Sequence, residues 1–220
     1  DWYHSNCHWW RPYRIYPACN PWWWWRPFVW TTSAILYASS TPPQPVVYDY
    51  GTDVIIQKEI VYVDGKETVA APEYRESAAR IATPATLPPP PVPQSDDDTS
   101  VIPLGVWALV QEDKGDAVMF YQLSVTKDGL ITGVCSNTLT GESAPVVGSI
   151  EKETQRVCFR TGAEGTGSVV ECNLNGLTRD QIGVFVHFGA SLTQEWLLVR
   201  MPNPDLPEAP VSLESPSQPK

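Results

Sequence analysis

The stretch FYQLSVTKDGLITGVCSN, Phe120–Asn137, sets two short apolar runs on either side of the turn signal Lys127-Asp128-Gly129. A connection that short joins antiparallel neighbours, so the stretch reads as a β-hairpin. The same texture fills residues 101–201, which hold eight such runs: LGVWALV, AVMFYQLSVT, LITGVCSN, APVVGSI, TQRVCFRT, GSVVECNLN, IGVFVHF and LTQEWLLVR. Turn residues separate them at Gly115-Asp116, Thr140-Gly141-Glu142, Glu151-Lys152-Glu153, Gly162 to Gly167, Thr178-Arg179-Asp180 and Gly189-Ala190. Eight sequential antiparallel strands can close on themselves and so remove every sticky edge. The expected fold is therefore mainly β, with an eight-stranded antiparallel up-and-down barrel over residues 101–201 that folds without the segments before it.

Upstream, residues 1–45 carry prolines at 12, 17, 21, 27, 42, 43 and 45, which interrupt every candidate element and leave an extended Trp/Pro-rich arm. Residues 46–83 change character. PVVYDYG and TDVIIQKEIVYVDGKETV are β-branched and aromatic, broken at Gly51 and at Asp64-Gly65, and read as a small β-meander. APEYRESAARIA follows as a helix, with Pro72 near its first position, Glu73 and Glu76 early and Arg80 late. Residues 84–100, six prolines in ten residues and then Asp96-Asp97-Asp98, form a linker, and residues 202–220 form a Pro-rich tail.

Charge separates the parts. Residues 1–40 set Arg11, Arg14 and Arg26 against Asp1, whereas residues 94–220 hold 17 acids and 8 bases, within a net charge of −10. That balance excludes a nucleic-acid partner, whose affinity comes from neutralised phosphates. FVWTTSAILYA, the longest apolar candidate, is about half of the ~20 residues a spanning helix needs, so no transmembrane segment is expected. A first residue other than Met is compatible with a processed, exported chain. Five cysteines divide into Cys7 and Cys19 in the arm and Cys135, Cys158 and Cys172 in the body, with no CxxC pair. Cys7 and Cys19 can close a short bridged loop in an oxidising compartment. Cys158 and Cys172 lie opposite one another if their hairpin turns about Gly165. Yet Val157 and Phe159 set Cys158 outward while Val170 and Leu174 set Cys172 inward, a conflict that a one-residue shift of register removes.

Two resemblances follow from these residues. GVWALV, then DGLITG, then TQEWLL resemble the avidin and streptavidin pattern of Gly-x-Trp, Asp-Gly-x-x-Thr-Gly and Thr-Gln-Trp-Leu-Leu. Leu109 stands where that family has asparagine, and Cys135 and Asn137 stand where it has tyrosine and serine. The resemblance therefore implies the barrel architecture and not biotin binding. Over nearly the whole chain, WRPY, YDYGTDVIIQKEIVYVDGK, EYRESAARIA, the proline-acid linker, PLGVWAL, GSIEKETQRV, LTRDQIGVFVHFG and TQEWLLVR resemble mu-protocadherin-like cell-surface proteins of planctomycetes. That resemblance implies export to the cell envelope and no particular chemistry.

Catalytic motifs are absent: the chain has no HExxH, GxSxG, Walker loop or dinucleotide glycine fingerprint, and no cofactor is expected. His187, in VFVHFG, reads as a structural or rim histidine. Glu171 and Glu195 lie on strands and could flank a sugar ring, but strand parity sets both outward. His4, Cys7, His8 and Cys19 are the weak candidates for a metal, at a spacing that matches no standard finger. Asp96-Asp97-Asp98 lacks the turn glycine and closing glutamate of a calcium loop.

The remaining signal is aromatic. Trp9, Trp10, Trp22, Trp23, Trp24, Trp25, Arg26 and Trp30 are the candidate interaction residues, because eight tryptophans in residues 1–30 offer more apolar area than a soluble monomer leaves wet. They are covered by the chain's own body, by a second copy or another envelope protein, or they lie on wall polysaccharide or a lipid interface. The expectation is a non-enzymatic exported structural protein, located at the cell surface, in the periplasm or outside the cell, that self-assembles through its arm. The alternative is a small-ligand- or carbohydrate-binding barrel with Trp107, Tyr121 and Trp196 lining its mouth.

Overall fold

The computed structural model describes residues 46–85, 101–111, 117–126, 128–162 and 167–201. The candidate residues of the arm, Trp9 to Trp30 with His4, Cys7, His8 and Cys19, lie outside the described residues, as do Asp96-Asp97-Asp98.

A three-stranded antiparallel meander comes first: β1 (Val54–Gln57), β2 (Ile60–Val63) and β3 (Lys66–Ala70). Helix α1 (Ala71–Ile81) follows directly, with Pro72 in its first turn, where a missing N–H costs nothing, and Arg80 in its last. Eight strands then run β4 (Val101–Val110), β5 (Met119–Thr126), β6 (Leu130–Asn137), β7 (Ser143–Glu151), β8 (Arg156–Thr161), β9 (Val169–Asn173), β10 (Gln181–Phe188) and β11 (Leu192–Arg200). Each pairs antiparallel with the next, and β11 pairs with β4, so the barrel is closed. The mainly β, eight-stranded reading holds, and each apolar run of the sequence is one strand.

Parity along the strands decides what each face does. Trp107, Tyr121, Leu123, Ile131, Phe159 and Val184 point inward and fill the interior, all essentially inaccessible to water. Tyr121 and Phe159 meet edge to face at 5.5 Å between ring centroids. One end of the barrel depends on a bulge in β4. Pro103 pairs with Ser124 but Gly105 with Leu123, so Leu104 is an extra residue whose carbonyl turns aside and accepts both Trp107 Nε1–H at 3.0 Å and Arg200 Nη1–H at 2.8 Å. Gly105 has φ of 97°, and a Cβ there would stand 2.6 Å from Arg200 Nη1. Arg200 lies over the Trp107 ring at 4.2 Å and also donates to the carbonyl of Leu177, within the 3-10 turn Asn175–Thr178 at this end. Burial pulls Arg200 down to about 10, with Asp180 opposing the shift.

The meander and α1 form a layer on the outer face of β8, β9 and β10. Ala78 and Ala82 cover Cys158 and Val169, while Tyr50, Val54, Val61 and Tyr74 form a second small core around Phe185. The layer comes so close that a Cβ on Gly183 would stand 2.5 Å from the Tyr50 carbonyl oxygen. Removing the layer would expose Phe185, Cys158 and the Glu171 charge of the barrel wall. The cysteine conflict also resolves: Val157 pairs with Cys172 and Cys158 with Glu171, so Cys158 faces the layer, Cys172 faces the interior, and both are free thiols.

Two outcomes follow. Trp107→Ala should lower unfolding free energy by ~3–5 kcal/mol, and Trp196→Ala, at a half-buried position, by clearly less, as read from urea titrations. Cys158 should resist alkylation in the native chain and become the first of Cys135, Cys158 and Cys172 to react when the layer is removed, as read by peptide mass mapping; equal reactivity of all three would contradict the packing.

Candidate functional site

Outward parity on β9 gives Glu171 to the seam between barrel and layer, where it is 0% exposed. An isolated carboxylate there would be prohibitive, so its partners decide whether the fold can exist. Five donors converge on it. Arg156, from β8, spans both oxygens, Nε to Oε1 at 2.7 Å and Nη2 to Oε2 at 3.1 Å. Tyr50 and Tyr74, both from the layer, donate their hydroxyls to Oε1 at 2.6 and 2.7 Å. His187, from β10, lies 2.8 Å from Oε2 through Nε2, and since a carboxylate only accepts, that nitrogen carries the proton. Its Nδ1 meets Thr193 Oγ1 across the β10–β11 pair at 2.9 Å.

The partners are themselves held. Arg156 lies over the Tyr74 ring at 4.1 Å and gives Nη1–H to Ser77 Oγ of α1 at 3.0 Å. Burial pushes Glu171 up, and the His187 and Arg156 bonds more than reverse it, holding the carboxyl down at about 2 against its usual 4.5. Burial raises the Tyr50 and Tyr74 hydroxyls, and the Glu171 charge raises them further, so both stay protonated donors. Tyr48, also raised by burial, reaches about 12. Arg156 stays above its ordinary value because Glu171 outweighs its desolvation.

Glu171 and Glu195 both take the outer face that parity gave them, each paired with Phe185 of the intervening strand, so their backbones are about 10 Å apart, two strand spacings. The geometry does not let them act as a hydrolytic pair. Glu171 has both oxygens saturated and closed off, whereas Glu195 is exposed. His187 is structural, tied on both nitrogens. Trp107 and Tyr121, read as candidate lining of a ligand mouth, are closed within the packed interior instead. Trp196 is half-buried against that core, its Nε1–H donating to Gln194 Oε1 at 2.9 Å. Tyr50, Tyr74 and Arg156 were not legible as partners, since nothing local in YDYG, EYRES or RVCFR marks a shared carboxylate.

A cavity of about 260 Å³ opens beside this seam, between the β1–β2 turn, α1 and the β10–β11 hairpin. Phe185 lies against it, Arg75 borders it from the helix, and Lys58, Glu59, Thr193 and Glu195 add polar walls. Arg75 is buried and reaches Glu59 at 2.5 Å and the Ala190 carbonyl at 2.7 Å, a second tie between layer and barrel.

The fold and site define a closed eight-stranded up-and-down barrel with a meander-helix layer bonded to its wall. Comparison with protein-family models, with curated proteins and with solved structures returns no match to this chain. No helix among the described residues is long and apolar enough to cross a membrane.

Because Glu171 titrates lower in the folded than in the unfolded chain, its contribution is present above about pH 4.5 and is lost as pH falls towards about 2. Glu171→Gln should cost ~3–5 kcal/mol at neutral pH by leaving Arg156 buried beside a neutral amide. In urea titrations across pH, the gap between native chain and variant should narrow from about pH 4.5 downwards; a constant gap would show that Glu171 is not the titrating group.

Proposed function

We propose that this chain is a non-catalytic, exported envelope protein whose body presents the Trp-rich arm to a second copy. The observation that carries the reading is an opposition of poles. The described chain begins at the bulged end of the barrel, where Val46 N–H donates to Gln155 Oε1 at 2.9 Å in the β7–β8 turn. At the other end, in the β6–β7 and β10–β11 turns and beside them, Leu139 is 78% exposed, Leu192 47% and Phe188 38%. An arm that leaves one pole and an apolar rim at the opposite pole suit a head-to-tail contact, which repeats without closing. The acidic body and the weakly basic arm favour the same encounter. The packed interior weighs against the small-ligand reading of the barrel lumen, and the envelope location rests on the planctomycete resemblance.

Light scattering behind size-exclusion chromatography tests this on the intact chain and on a chain lacking residues 1–45. The intact chain should grow in mass with concentration, the shortened chain should stay monomeric, and Leu139→Glu with Phe188→Glu should reproduce the monomer while the arm is kept. An intact chain that stays monomeric at high concentration would overturn the proposal.

A further inference from the structure

Two turns of the meander are a matched pair. β1 to β2 and β2 to β3 each reverse through two residues, and in each both residues are left-handed: Lys58 and Glu59 with φ of 49° and 61°, Asp64 and Gly65 with φ of 50° and 73°. Asp-Gly is the ordinary choice for such a turn, because glycine adopts positive φ without strain and aspartate tolerates it. Lys-Glu is not: the side chains of both residues crowd the backbone in the left-handed region, so this turn is strained. The residues that carry this strain both border the cavity beside the seam, and the unstrained turn does not.

The charges around the cavity are also incompletely matched. Glu59 is taken by Arg75, which is 3% exposed and spends Nε on Ala190 and Nη2 on Glu59, leaving Nη1 without a hydrogen-bond partner among the described residues. Lys58, from the layer, and Glu195, from the barrel, face the same cavity and make no ion pair among the described residues. Between these walls Ile56, Phe185 and Leu192 supply apolar surface. At 260 Å³ the space is below the roughly 300–1,000 Å³ of pockets for drug-sized ligands. A lysine and an arginine from the layer, a glutamate from the barrel, apolar side chains beside them and a small volume together match one ligand class.

We infer that this cavity binds a zwitterion of amino-acid size with an aliphatic side chain, its carboxylate toward Lys58 and Arg75 Nη1 and its amine toward Glu195. The Lys-Glu turn keeps its strain because it places that cation. The site lies on the flank of the barrel beside the β10–β11 hairpin; it shares Leu192 with the apolar rim but none of its charged residues, and binding there does not require assembly.

Ligand-observed NMR and calorimetry on the full chain test the inference with leucine, with 4-methylpentanoate, which lacks the amine, and with 3-methylbutylamine, which lacks the carboxylate. Leucine should bind saturably, and each analogue should bind at least roughly tenfold more weakly, the loss of one charge-assisted contact. Lys58→Asn should weaken leucine binding by about the same factor while the melting temperature holds or rises, since asparagine relieves turn strain. Glu195→Gln, at an exposed position, should weaken it without a fall in stability. Absence of saturable leucine binding at millimolar concentration, analogues that bind as well as leucine, or undiminished binding by Lys58→Asn would each overturn the assignment.

Discussion

The rest of the structure depends on one buried carboxylate. Glu171 stands on the outer face of β9, where a charge without partners would unfold the chain or drive the layer away, and five donors from four separate segments meet it. Two come from the layer and three from the barrel wall, so the pair of oxygens is satisfied only when both parts are in place. The constraint works as a lock on docking. Apolar contacts such as Tyr50 against Phe185, with ring centroids 4.6 Å apart, supply the attraction, while the carboxylate fixes where the layer sits.

The same logic explains the surrounding sequence. Arg156 must bridge both oxygens, which needs a planar fork that lysine lacks, and it is further held by Tyr74 and Ser77 of α1. Gly183 must stay bare so that the Tyr50 backbone can approach. Asp49 takes Arg179 Nη1 through both oxygens, at 2.8 and 2.9 Å, and fastens the start of the layer to the segment beyond the 3-10 turn. At the far edge Arg75 ties α1 to Ala190 and to Glu59, and that edge is where the layer and barrel part enough to leave the cavity.

The barrel was legible because its turns are short and its runs keep strand length, so each hairpin could be read locally. The layer's position was not. Outward Glu171 and His187 look like solvent-facing residues when parity alone is considered, and parity cannot say what covers a face. The outer faces of β8 and β9 gave no apolar signal either: Arg156, Cys158 and Arg160 on one and Val169, Glu171 and Asn173 on the other read as a mostly solvated surface, yet all five residues of β9 are buried. The bulge at Leu104 was likewise hidden in PLGVWAL, since its cause is an arginine almost a hundred residues away. Candidate lining residues Trp107 and Tyr121 were correctly placed on strands, but sequence gave them no direction, and the interior claimed them.

Native-state hydrogen exchange on the full chain tests most directly whether layer and barrel are one unit locked by Glu171. Amides of α1 and of β8 to β10 should exchange with the same free energy of opening, and Glu171→Gln should lower α1 protection at least as much as barrel protection. If α1 amides open far more easily than those of β9 in the native chain, and the substitution leaves that difference unchanged, the carboxylate does not hold the two together.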